Sequence, residues 1–192
     1  MRPAAGAAGG LALLAALFLT RGWMEASMLR HMLLQLPLLV LCGALLHAQA
    51  PARVRQFGAR LDLQGLASFT ALLFVSTYWM VPRALEQALF APAAEAAKWI
   101  SLLAVGACLP GALARAHLVV QLFFVANLCA MMAIAGLLYQ ELPQRLCNAY
   151  LLDDQAATGA GLVGLALALA AAWCAANGRR FLDPARPARS DA

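Results

Sequence analysis

The sequence predicts an all-α fold: a polytopic membrane helix bundle of about six transmembrane helices. Composition is the first reason. The 192-residue chain is 64% hydrophobic and 12% charged, with a mean hydropathy of +0.75, whereas a soluble domain carries about 25% charged residues. Patterning is the second. The apolar residues fall in runs near the length of roughly 17–25 residues that a spanning helix needs, and the period-two alternation of a membrane barrel is absent. The third is physical. Backbone N–H and C=O groups in lipid must find partners within their own segment, which selects helix.

The elements follow in order. The first apolar run, Ala4–Thr20, is rich in Ala and Gly and ends at Arg21-Gly22. It has the basic start of a signal peptide in Arg2, but Glu25-Ala26-Ser27 is a poor cleavage site, so a retained span is expected. The second run is Met28–Leu46, and the third is Leu66–Val81, stopped by Pro82. Residues 82–97 read as a short amphipathic helix between spans, with Glu86 and Glu95 facing water. The fourth run is Lys98–Ala114, the fifth Leu118–Tyr139 and the sixth Ala156–Ala176. No internal repeat is visible. Residues 1–176 read as a single transmembrane domain and 177–192 as a cytoplasmic disordered tail.

Charge sets the expected orientation. Six spans place both termini on one side with Arg2, Arg53, Arg55, Arg60, Arg115, Arg179, Arg180, Arg186 and Arg189. Arg21, Arg30, Arg83, Lys98 and Arg145 fall on the other. The positive-inside rule then puts both termini in the cytoplasm. Most acidic residues, Glu25, Glu86, Glu95, Glu141, Asp153 and Asp154, fall outside. The basic surplus is thus a topology signal, and no nucleic-acid partner is expected.

The outer ends carry the chemistry. Met28, His31, Met32 and Gln35 lie at i, i+3, i+4 and i+7, on one helical face. Thioether and imidazole together suit a soft ion such as Cu(I). Met is also a common gap filler between helices. Trp79-Met80 closes the third run, Lys98-Trp99 opens the fourth and Asp153-Asp154-Gln155 precedes the sixth, all on the same outer side. His47 and His117 fall at inner ends, where a solvated imidazole is the expected reading. Cys42, Cys108, Cys129, Cys147 and Cys174 form no CxxC pair and predict no disulfide framework.

These residues resemble the multi-span membrane CtaG-type cytochrome c oxidase assembly factors, which are distinct from the single-span copper chaperone of that name. The family carries His-Met-x-x-His-Met-Leu-Leu followed by Pro and Gly. Here the segment reads Ser27-Met28-Leu29-Arg30-His31-Met32-Leu33-Leu34, then Pro37 and Gly43. The family's Trp-His-x-Pro reads Trp79-Met80-Val81-Pro82, followed by Ala88-Leu89. Its Asp-Gln opening of the last span reads Asp154-Gln155, then Ala156, Ala157, Thr158 and Gly159. The order holds over about residues 23–170. Ser27, Met80 and Ala97 or Lys98 stand where the family has histidines.

The resemblance implies a membrane assembly factor for a haem-copper oxidase, handling or delivering Cu(I) at the outer face of a bacterial inner membrane. Its implied partners are the lipid bilayer and an oxidase subunit or copper chaperone. Met28, His31, Met32 and Met80 are the candidate metal ligands. The alternative is a metal-free scaffold or accessory subunit of a membrane complex, docking through Trp23, Trp79 and Trp99. An enzyme is not expected: no nucleophile–base motif and no phosphate loop is present. A transporter is not expected either, because the polar groups inside the runs, such as Ser68, Thr70, Gln121 and Asn127, are neutral.

Overall fold

The computed structural model describes residues 3–47 and 62–182, together with Arg53, Gly58 and Arg60 between them. Arg2, Arg55, Arg186 and Arg189 of the charge count, and residues 183–192 of the expected tail, lie outside the described residues. Among the described residues every regular element is helical. The order is α1 (Pro3–Leu19), α2 (Arg21–Glu25), α3 (Met28–Leu46), α4 (Leu66–Met80), α5 (Pro82–Phe90), α6 (Pro92–Arg115), α7 (Leu118–Glu141) and α8 (Leu152–Leu182).

Four of these helices are long and apolar enough to cross a membrane: α3, α6, α7 and α8. A fifth candidate is α4 with α5, which bends by 76° at the break between Met80 and Pro82. The apolar part of α1, Ala8–Leu19, is shorter. The structure therefore gives four to five candidate spans where the sequence led us to expect about six.

Some boundaries moved for physical reasons. Residues 82–97 are not one helix. Ala91 is extended and Pro92 starts α6, as expected of a residue preceding proline. Glu95 and Lys98 thus lie inside a membrane-length helix, and both are paired. Glu95 forms an ion pair with Arg21, and Glu86 is half-buried and accepts the Asn148 N–H. The last helix begins at Leu152 and continues to Leu182, past the expected end at Ala176.

Inside α3, residues His31–Gln35 form a π-turn, closed by the Leu36 N–H on the His31 carbonyl. Pro37 sits just beyond it. A proline removes an intrahelical donor and clashes with the carbonyl four residues earlier. The widened turn relieves that crowding.

Small residues set the closest helix approaches. A Cβ on Gly43 would strike the Leu103 carbonyl, and one on Gly106 would strike the Val40 carbonyl, so α3 and α6 touch backbone to backbone. Gly136 and Gly159 do the same for α7 and α8. Packing through small residues is how helices associate where lipid supplies no hydrophobic drive. α1 lies along α3, with Cys42 Sγ on the Gly10 carbonyl at 3.2 Å. α4 packs on α6 and α7. α8 meets α3 mainly through its first turns, Met28–Gln35.

Two polar joints mark opposite ends. At one, Asp62 binds the α4 N-terminus through the Ala67 N–H at 2.9 Å and the Ser68 hydroxyl at 2.6 Å, and pairs with Arg115 at 2.8 Å. His47 Nδ1 meets the Ala107 carbonyl at 2.6 Å, and His117 Nδ1 accepts the Val119 N–H as the α7 cap. Both imidazoles are therefore bonded within the protein. Gln121 bridges to the α6 terminus through the Leu113 and Ala116 carbonyls, whereas Asn127 bonds within its own helix to Phe123. The other joint surrounds Lys98.

Candidate functional site

The Lys98 side chain is fully buried near the start of α6. An ammonium has three N–H donors. Three acceptors surround it: His31 Nε2 at 2.7 Å, Glu25 Oε1 at 2.8 Å and Gln35 Oε1 at 3.0 Å. Glu25 ends α2, and His31 and Gln35 are the first and last residues of the π-turn. Gln35 Nε2 also donates to Glu25 Oε1 at 3.1 Å. A buried charge needs both a counter-ion and complete hydrogen bonding, and this cage supplies both.

The network fixes the state of His31. The Lys98 ammonium can only donate, so Nε2 is an acceptor and the ring proton is on Nδ1. Nδ1 lies 2.8 Å from the Tyr150 hydroxyl, which donates to the Glu25 carbonyl at 3.1 Å. Donors and acceptors thus run in one order from Lys98 through His31 and Tyr150 to Glu25. Burial raises the Tyr150 phenol well above its ordinary pKa, and Cys147, Glu25 and Asp154 nearby push the same way. Tyr150 therefore stays a donor at neutral pH. Cys147, in a loop that reads as polar, is buried, and burial raises its thiol in turn.

The residues of the three sequence motifs meet at this end. Asp154 reaches α3 across 127 positions: Oδ1 accepts the Ser27 hydroxyl at 2.9 Å and Oδ2 accepts the Met28 N–H. It thus caps a helix that has no side-chain cap of its own. Gln155 holds the loop before α8, accepting the Leu146 N–H and donating to the Tyr139 carbonyl. Tyr139 donates its hydroxyl to the Met80 carbonyl.

The four candidate ligands are all buried, with Met28, Met32 and Met80 in one core cluster and His31 in the polar network. His31 faces Lys98 and Tyr150. Met32 and Met80 line an apolar cavity whose walls do not include His31 or Met28. Met28 packs in the same core cluster as Met32 and Met80 but is not among the residues lining the cavity. Trp79, expected as a docking residue, is buried and donates to Ser101 Oγ at 3.0 Å, while Trp23 is exposed with Arg30 stacked 4.3 Å over its ring.

Copper does not fit the His31 set in this arrangement. His31 is the one nitrogen donor among the four, and both its ring nitrogens are engaged. A cation at Nε2 would also meet the Lys98 charge at bonding distance, where like charges in a low-dielectric site repel strongly. Among the described residues no group of three or more His, Cys, Asp or Glu is placed to hold a metal ion.

Glu25, Lys98 and Tyr150 were missed as site residues from the sequence. The signal was a lysine followed by a long apolar run: a charge at that depth requires a partner. No family model matches the chain, no curated protein matches it, and no solved structure matches it.

Proposed function

We propose that this protein is a membrane scaffold or accessory factor, of the kind that assists assembly of a haem-copper oxidase, with a buried ion-paired cluster in place of a metal centre. The observation that carries the metal-free reading is the Lys98 ammonium on His31 Nε2. The cluster joins α2, α3, α6 and the loop before α8, so it fixes the shape of one end of the bundle. The resemblance of the three motif segments supports the oxidase connection.

In this reading α1 and the bent α4–α5 pair complete six crossings of a bacterial inner membrane, with both termini cytoplasmic. The polar cluster then lies at the outer face. The packing of α1 along α3 supports the sixth crossing, and the positive-inside count supports the orientation. Residues 1–176 form the membrane domain.

A second reading keeps Cu(I) handling, now through thioethers alone. Its specific support is that Met32 and Met80 line the same cavity, because neutral sulfur ligands suit Cu(I). Anaerobic Cu(I) loading of the purified protein separates the two. The scaffold reading expects no stoichiometric copper, in the wild type or in a Met28→Ala/His31→Ala/Met32→Ala variant. One copper per chain that the triple variant loses would replace it with the copper reading.

A further inference from the structure

The helices form two tightly packed sets, α3 with α6 and α7 with α8, each held by its glycine contact. The sets join at the Lys98 end, and between them lies an apolar cavity of about 270 Å³. At the Lys98 end its walls are buried: Met32, Trp79, Met80 and Leu102. Towards the Arg115 end the walls are half-exposed: Val40, Leu72, Leu128 and Leu169. The cavity is therefore a cleft, closed at its top and open lower down, at a depth where the surroundings are hydrocarbon.

We propose that this cleft binds one acyl chain of a membrane phospholipid, inserted from mid-membrane with its terminal methyl beneath Trp79 and Met80. Four alternatives are less suited to the same observations. Left empty, a void of this size deprives its lining of dispersion contacts. Water needs two to four polar partners, and the walls offer only the Ser76 hydroxyl, since Trp79 Nε1 is taken by Ser101. A partner helix, about 10 Å across and packing along the length of the bundle, is stopped by the buried top formed by Met32, Trp79, Met80 and Leu102. An isoprenoid tail, with a methyl branch on each unit, is also thicker than an unbranched chain. The proposal is independent of the oxidase reading.

Trp79 lines the cleft and reports on it. The test uses the full chain with Trp23, Trp99 and Trp173 changed to Phe, reconstituted in phosphatidylcholine vesicles with brominated acyl chains. Bromine near the chain end is expected to quench Trp79 at least twofold, although the side chain is buried. Val40→Phe with Leu169→Phe, which narrows the open end, is expected to remove most of that quenching. Native mass spectrometry of the unsubstituted protein from mild detergent is expected to show one retained phospholipid. Three results would overturn the proposal. They are no quenching of Trp79 with an unretained lipid, quenching indifferent to the two phenylalanines, and full relief of quenching by an isoprenoid quinone.

Discussion

Lys98 shows how one side chain can decide the chemistry around it. Its ammonium satisfies Glu25, His31 and Gln35 at once, so removing it leaves the half-buried Glu25 carboxylate without its counter-ion, held only by the Gln35 amide, and the buried His31 Nε2 lone pair without a partner. Lys98→Met should cost about 3 kcal/mol, the usual result of breaking one side of a buried pair. The Glu25→Leu/Lys98→Met double variant should cost clearly less than the sum of the two single changes, as measured by thermal unfolding in a double-mutant cycle. The Asp62 joint makes a pH prediction. Burial by itself would raise its carboxyl, but the Ser68 hydroxyl and N–H, Arg115 and the Ala67 N–H together hold it below the ordinary value. A carboxyl with a lowered folded pKa adds stability above its unfolded value of about 3.9, and that stability is lost as pH falls through the folded value. Melting temperatures followed on the acid side should therefore fall below about pH 4 in the wild type, and Asp62→Asn should lack that component. The spacing of Met28, His31, Met32 and Gln35 was legible in the sequence, but their division was not. His31 and Gln35 turn to Lys98 and Met32 to the cavity, because a π-turn before Pro37 shifts the face.

Helices in this protein are positioned by caps supplied from far along the chain and by glycine contacts. Asp154 binds the first residues of α3. Asp154→Ala should destabilise the protein by about 1 kcal/mol, the typical worth of an N-cap, and Asp154→Asn by less, since one acceptor oxygen remains. Thermal melts of the two variants in one detergent would check the order. Gly106→Leu would drive a side chain into the Val40 backbone, and Gly136→Leu into Gly159. Each should separate its helix pair, visible as faster proteolysis between helices, whereas Gly164→Leu, which meets open space, should not. The long runs α3, α6, α7 and α8 were readable because apolar length is a direct signal. The α5–α6 break was harder to read, because Glu95 and Lys98 look like loop charges until Arg21 and Glu25 are seen to pair with them.

The bundle as assembled is asymmetric: polar and cross-linked at the Lys98 end, apolar and cleft at mid-depth. In our proposed orientation the cross-linked end lies at the outer face of the membrane. A reporter fused after Ala192 should therefore signal from the cytoplasm, and one inserted between α5 and α6 from outside. The convergence of the Ser27–Met32, Trp79–Pro82 and Asp154–Gln155 segments was legible from topology, since each flanks a span on the same side. The tethered cation at their centre was not, because nothing in linear spacing sets Lys98 against His31. That cation holds the outer end of the bundle together and sets the state of His31. Nitrogen NMR of ring-labelled His31 in the folded protein tests it most directly. A neutral ring protonated at Nδ1 is expected, with Nε2 as a hydrogen-bond acceptor that is unmoved by added Cu(I) and that changes in Lys98→Met. An Nε2 resonance that shifts stoichiometrically with Cu(I) in the wild type, and is indifferent to Lys98→Met, would contradict it.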